Sequence, residues 1–172
     1  MDSPSISDVI RAAADACKSL SQCGNFFNFD KTNSWRGWEN WLTVDVIRRL
    51  DSPSVVRFGN YPDSSEKTDI LISGPNCTAV EIKVNYVDSS EVEAWKESAS
   101  YKLPRRVTED LWKLNRLGKD MNRVFLFAIA FENTNDKTKY KGLLDQSLAK
   151  SWGSWASQWH ECETFMLLAL SS

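Results

Sequence analysis

The amino-acid sequence predicts a mixed α/β domain whose central mixed sheet of about four to five strands is flanked by helices. Residues 79–84 alternate apolar and polar side chains, which is typical of a strand with two different faces. Residues 123–131 are almost entirely apolar, which is typical of a central strand covered on both faces. Apolar residues recur at helical spacing in 7–21 and 35–50. A length of 172 residues suits one domain, spanning 1–172, with a single core.

The predicted elements alternate between helices and strands along the chain. In chain order they are a helix at 7–21, a loop at 24–34, a helix at 35–50, a strand at 55–58, a hairpin at 68–86, helices at 92–101 and 108–117, a strand at 123–131, a helix at 140–150, and a strand or buried helix at 164–170. Ser7 is a candidate N-cap of the first helix, and the second helix ends before Pro53. Gly74 and Pro75 place a turn within the hairpin.

Composition sets the expected cellular environment. No stretch approaches the roughly 20 apolar residues needed to cross a membrane, and the N-terminus lacks the basic and apolar regions of a signal peptide. The four cysteines show no Cys-x-x-Cys spacing, which argues for reduced thiols and against structural zinc. His160 is the only histidine, which excludes chemistry that needs two imidazoles. We therefore expect a cytoplasmic protein with no membrane partner.

The charges of the chain are unevenly distributed. The net charge of −2 gives no overall attraction to nucleic acid. Residues 102–123 nevertheless carry seven basic and three acidic side chains, whereas residues 88–97 are acidic. A basic stretch beside an acidic site suits a ligand with a phosphate backbone. An ordinary solvated helix face explains the same charges, and the sequence leaves both interpretations open.

Two sets of three tryptophans recur at helical spacing. They are Trp35, Trp38 and Trp41 in the second helix, and Trp152, Trp155 and Trp159 near the C-terminus. Aromatic platforms can stack on single-stranded bases, but helical spacing more often reflects packing in the core. We expect core packing, because no basic residue accompanies the second set.

Three charged residues of the hairpin form the candidate site. Glu81 and Lys83 are two residues apart on one strand and therefore project from the same face. A hairpin that turns about Pro75 brings Asp69 opposite Glu81, and like charges in that position destabilise a sheet. A divalent cation between the two carboxylates would explain the pair. A displaced register, or neutralisation by Lys67 or Lys83, explains it without a metal.

These residues resemble a known superfamily. An acid at the start of a strand, Asp69, followed after a hairpin by Glu81-Ile82-Lys83, looks like the PD-(D/E)XK, or restriction-endonuclease-like, nucleases. The resemblance covers roughly residues 35–131 and implies an αβββαβ core, with a helix added in front and a helix–strand unit behind. Thr68 stands where the family has proline. The literal pair Pro62-Asp63 lies in turn-forming sequence, so Asp69 is the preferred acid.

The resemblance also implies a metal site. Asp69, Glu81 and the main-chain carbonyl of Ile82 would bind Mg²⁺ or Mn²⁺, which prefer oxygen ligands. Lys83 would position the attacking water, help to deprotonate it, or stabilise charge on the phosphate. Glu39, at the edge of the apolar stripe of the second helix, would support the metal directly or through water.

Substrate contacts are expected from the basic stretch. In the resembled nucleases a residue on the helix after the motif contacts a phosphate, and Lys113 occupies that place. Arg105 and Arg106, at the start of the same helix, are further candidates for binding the substrate. An exposed helical lysine without a function is the ordinary alternative for Lys113.

Two classes of function follow from these expectations. The first is a metal-dependent nuclease that hydrolyses phosphodiester bonds, most simply an endonuclease acting on DNA rather than RNA, alone or as a homodimer. The second is a non-catalytic binding protein on the same fold, such as an immunity protein, an antitoxin-like inhibitor or a regulatory subunit with a protein partner. A solvent-facing hairpin held by a Glu81–Lys83 ion pair would instead make the motif accidental.

Overall fold

The computed structural model describes residues 3–22, 35–61, 66–88, 90, 105–152 and 154–172, with the side chains of residues 35, 36 and 151 excepted. The loop predicted at 24–34 and the helix predicted at 92–101 lie outside these residues. Within the described ranges, the mixed α/β class predicted from the sequence is confirmed. No helix in these ranges is long and apolar enough to cross a membrane.

The observed helices and strands follow the predicted order closely. They are α1 (Ile6–Gln22), α2 (Trp35–Leu50), β1 (Val55–Arg57), β2 (Ile70–Ile72), β3 (Thr78–Val87), α3 (Arg105–Asn115), β4 (Asn122–Phe131), a 3-10 turn (Thr134–Asp136), α4 (Lys137–Trp152), β5 (Ala156–Glu161) and β6 (Phe165–Ser171). Helix α2 ends where predicted, because Asp51 adopts a left-handed conformation with φ of 41° before Pro53. The segment predicted at 164–170 as a strand or buried helix is a strand.

The strands form one mixed sheet in the order β1-β2-β3-β4-β6-β5. Strands β3 and β4 are parallel, and all other neighbours are antiparallel. A parallel pair needs a crossover connection, which here contains α3. The described sheet has six strands, so the prediction of four to five strands was one strand too few.

The missed strand is β5, and the spacing of its tryptophans explains the error. Trp152 ends α4, whereas Trp159 lies in β5, so the helical spacing from Trp152 to Trp159 is accidental. Strand β5 is an edge strand with three exposed residues at its start, and it lacks the alternation that reveals a strand in sequence. The expected core packing is confirmed for Trp152 and Trp155, which are buried, whereas Trp41 is 39% exposed.

The hairpin that carries the motif has the predicted register. Ile70 pairs with Val80 and Ile72 pairs with Thr78, with the turn at residues 73–77 between them. Continuing this register by one residue brings Asp69 level with Glu81, as expected. Strand β2 begins at Ile70 rather than Thr68, so the ladder stops just before the two acids.

Both faces of the sheet are covered by helices. Side chains at even positions of β3 and β4, such as Ile82 and Leu126, pack with α1 and α2. Side chains at odd positions, such as Phe125 and Phe127, pack with α3 and α4. Because side chains alternate along a strand, Glu81 and Lys83 project toward the face that carries α3.

Candidate functional site

The candidate site lies at an open edge of β3. Strand β2 pairs only with residues 78–80, so among the described strands the following residues of β3 have no ladder partner on that side. The N–H of Ile82 donates to Asp69 Oδ2 at 2.7 Å, and the N–H of Val84 donates to Glu39 Oε1 at 3.4 Å. Asp69 and Glu39 therefore both lie along the edge of β3 that follows Glu81.

Thr68, which lies just before β2, holds the neighbouring Asp69 in place. The Thr68 hydroxyl donates to the carbonyl of Val80 at 2.6 Å, and Thr68 is buried. The N–H and C=O of a strand residue point to the same side. Since the N–H of Ile82 meets Asp69, the carbonyl of Ile82 faces the same edge. Thr68, where the resembled family has proline, thus locks the position of the neighbouring acid.

Glu81 is a buried carboxyl, only 2% exposed. Its Oε1 accepts a hydrogen bond from the Tyr61 hydroxyl at 2.6 Å and one from Lys113 Nζ at 3.2 Å. Burial, followed by the negative charges of Asp69 and Asp110, raises the pKa of Glu81 to about 8. The alternative of a solvent-facing hairpin is therefore contradicted by the structure.

Lys83 and Lys113 connect the acids of the site. Lys83 Nζ lies 2.9 Å from Asp110 Oδ2 and 3.6 Å from Glu39 Oε2. Lys113 Nζ bridges Asp110 Oδ1 at 3.1 Å and Glu81 Oε1 at 3.2 Å. Burial acts to lower the pKa of Lys83, but Asp110 and then Glu39 outweigh it and raise the pKa overall. Glu81 and Lys83 thus each have other partners, and the suggested Glu81–Lys83 ion pair is not what holds the hairpin.

The three basic residues predicted to bind substrate differ in position. Arg105 is 92% exposed in its side chain, pairs with Glu109 and lies outside the site. Arg106 donates to the carbonyl of Val84 at 2.7 Å and lies 3.4 Å from Glu39. Lys113 reaches into the site itself. The structure therefore brings Arg106 and Lys113 to the site and separates Arg105 from it.

The donor set predicted for a metal consists of two carboxylates and one main-chain oxygen, from Asp69, Glu81 and Ile82. Mg²⁺ accepts such donors and usually keeps several waters. No group of three or more His, Cys, Asp and Glu side chains in the described ranges is arranged to hold a metal ion. The site does carry four acids against three bases, which leaves an excess of one negative charge once Glu81, whose pKa is raised to about 8, has lost its proton; these groups are Glu39, Asp69, Glu81, Asp110, Lys83, Arg106 and Lys113. A bound cation would balance this excess.

Two residues of the site were missed from sequence, Asp110 and Tyr61. Asp110 falls within the apolar stripe of α3, between Val107 and Leu114, and is 7% exposed. An acid at a core position of an amphipathic helix was the available signal. Tyr61 lies in a segment rich in turn formers, and no pattern in the sequence indicates that its ring is buried. The rival acid Asp63 lies outside the described residues.

The Tyr61 hydroxyl supplies a prediction about stability. Tyr61→Phe removes the only hydroxyl that donates to Glu81 among the described contacts, while the ring still fills its buried position. We expect a loss of about 1 to 3 kcal/mol in the free energy of unfolding, the usual range for a bond to a charged or buried acceptor. Urea denaturation of both proteins at pH 9 measures it. A loss below about 0.5 kcal/mol would contradict the geometry.

Comparison with known proteins found no significant match. No family model matches the chain, and neither the curated proteins nor the solved structures contain a significant match. The order of the elements and the geometry of the site are what support a function.

Proposed function

We propose that this chain is a metal-dependent nuclease with a PD-(D/E)XK-type core, which hydrolyses phosphodiester bonds as an endonuclease. The observation that carries the proposal is the convergence of Asp69, Glu81 and the Ile82 backbone at one open edge of β3, with Lys83 beside them. An isolated Glu-x-Lys would be weak support. Convergence with an acid 12 positions earlier, in the predicted register, is stronger.

The order of elements gives independent support. From α2 to β4 the described elements run helix, three strands, helix, strand, which is the order expected of the αβββαβ core. Helix α2 supplies Glu39 to the site, and α3 supplies Lys113. Both helices therefore contribute charged residues where the resembled nucleases have them.

The residues suit a hard cation. Asp69, Glu81 and the Ile82 carbonyl would hold Mg²⁺ or Mn²⁺, with Glu39 in a supporting role. When bound, such an ion lowers the pKa of a coordinated water and offsets charge on the scissile phosphate. Lys83, held by Asp110 and Glu39, is fixed where it can orient a water or donate to a phosphate oxygen. Arg106 and Lys113 add positive charge beside the same edge.

Cleavage assays test the proposal. Labelled duplex and single-stranded DNA and RNA would be incubated with wild type, Lys83→Ala and Lys139→Ala in Mg²⁺, Mn²⁺ or EDTA. Lys139 is an exposed lysine on α4 and serves as the matched control. We expect cleavage that needs metal, falls about 100-fold or more in Lys83→Ala, and is unchanged in Lys139→Ala. DNA is the first substrate expected to be cut. Absence of cleavage on every substrate would contradict the proposal.

The second candidate is a non-catalytic binding protein on the same fold. The observation that favours it is the internal pairing of the site, in which Lys113 contacts Glu81 and Lys83 contacts Asp110. These pairs neutralise most of the acids without a metal. Metal binding without cleavage, together with capture of a defined protein partner in a pull-down, would support this candidate over the nuclease.

A further inference from the structure

Helix α3 presents an aromatic side chain to solvent. Its outer stripe contains Arg105, Glu109 and Trp112, and Arg116 follows four residues after Trp112, just past the end of the helix. Trp112 is 53% exposed, which is the largest exposure of any large apolar side chain in the described ranges. An exposed tryptophan on a helix that borders a charged site is a candidate contact for a ligand with a planar group.

Buried tryptophans hold this ring in place. Trp112 lies edge-on to Trp152, with ring centroids 5.6 Å apart and an interplanar angle of 75°. Trp152 is buried and in turn lies edge-on to Trp155 at 6.2 Å. A ring fixed by a buried neighbour loses little conformational freedom when a ligand stacks on it.

Helix geometry places the ring on the flank of α3 beside the one that carries Lys113. Lys113 follows Trp112 directly, and successive residues of a helix point about 100° apart. Arg106 and Lys113 form the flank of α3 that faces β3, and Trp112 lies on the adjoining flank. Arg116, four residues further on, is also exposed. A nucleic-acid strand that crosses α3 would therefore contact the aromatic ring and the basic side chains before it reaches the acids of the site.

We propose that Trp112 stacks on an unpaired base of a single-stranded nucleic acid whose backbone runs over α3 into the site. The inference rests on the proposed nuclease function and names its substrate class as single-stranded. Bases in a duplex already stack on one another and offer no free face, whereas single-stranded ligands are bound through such aromatic platforms. Arg116 supplies charge complementary to the phosphates.

Binding measurements test this without cleavage. Fluorescence anisotropy of labelled single-stranded and duplex DNA and RNA of one sequence would be recorded in EDTA and again with Ca²⁺. The variants are Trp112→Ala, Trp112→Phe and Trp41→Ala. Trp41 is a matched control, because it is also exposed and lies edge-on to a neighbouring tryptophan, but it is on α2, across the sheet. Thermal melting of each variant checks that it folds.

The expected result is specific to single strands. Trp112→Ala should weaken single-strand binding about tenfold, Trp112→Phe should keep most of the affinity, and duplex binding and Trp41→Ala should be unchanged. Equal losses for single strands and duplexes, or wild-type affinity in Trp112→Ala, would overturn the inference and leave the nuclease proposal standing. A change in self-association alone, measured by sedimentation, would identify a contact between copies and also overturn it. Failure of the wild type to bind any of the four ligands would count against the proposed function itself.

Discussion

Replacing Glu81 with glutamine should stabilise the metal-free protein at pH 8 and above. Folding raises the pKa of Glu81 from 4.5 to about 8. Between these pH values the unfolded chain has lost a proton that the folded protein keeps. The contribution of Glu81 to stability is therefore fully present below about pH 4.5, and it is lost as the pH rises through 8. The difference corresponds to on the order of 5 kcal/mol once the carboxyl is fully ionised.

Glutamine removes this dependence because its amide does not ionise and can still accept from Tyr61. The expected gain is smaller than the full value, since Lys113 loses the carboxylate that it contacts at 3.2 Å. Urea denaturation in EDTA at pH 5, 7 and 9 measures the free energy of unfolding. Glu163→Gln, at an exposed position, is the control and should behave as wild type.

A wild-type profile with the same slope between pH 5 and 9 as that of Glu81→Gln would show that Glu81 does not titrate in this interval.

Addition of Mg²⁺ or Mn²⁺ to both proteins provides a separate measurement. A cation that binds the folded protein stabilises it by mass action, and it should do so for wild type more than for Glu81→Gln. Equal stabilisation of both would count against Glu81 as a ligand while leaving its raised pKa intact.

Replacing Asp110 with asparagine should cost about 3 kcal/mol of stability at pH 7. The Asp110 carboxylate is shared by Lys83 Nζ at 2.9 Å and Lys113 Nζ at 3.1 Å, and its side chain is 11% exposed. Breaking a buried ion pair by removing one partner leaves the other charge without compensation, which costs about 3 to 5 kcal/mol. Glu39 remains near Lys83, at 3.6 Å, so the lower end of this range is expected.

A double-mutant cycle isolates the ion pair. Lys83→Met removes the stranded ammonium, so Asp110→Asn should cost less in that background, by about 1 kcal/mol or more. Asp45→Asn is the matched control, because Asp45 is equally buried but pairs with Arg48 and Arg49 of its own helix. Additive effects of Asp110→Asn and Lys83→Met would contradict the coupling.

Much of the fold could be predicted because its signals are local. The alternation of residues 79–84 and the apolar run at 123–131 define two central strands, and turn residues fix the register of the hairpin. Strand β5 was not predicted, because an edge strand with exposed residues does not need to alternate apolar and polar side chains. The six-stranded order requires β6 to insert between β4 and β5, which no local pattern specifies.

The site was predictable where the pattern of a strand or a helix, or the family resemblance, placed its residues. Asp69 and Glu81 follow from the register, and Glu39 follows from its position at the edge of a helical stripe. Asp110 and Tyr61 come from a crossover helix and an irregular segment, and their distance from Glu81 depends on how these pack against the sheet. The sequence also gave no reason to pair Lys83 with Asp110 rather than with Glu81.

The shortness of β1 and β2 has a consequence for how the candidate site could come apart. Each has three residues, and together they form one edge of the sheet. Elements with so few ladder bonds open in local fluctuations that leave the rest of a domain folded. Such an opening would carry away Asp69, and with it the oxygen that caps the Ile82 N–H, while β3, β4 and β6 stay packed. The site would then be lost at a smaller free-energy cost than global unfolding, and at a lower temperature than that at which the whole domain unfolds.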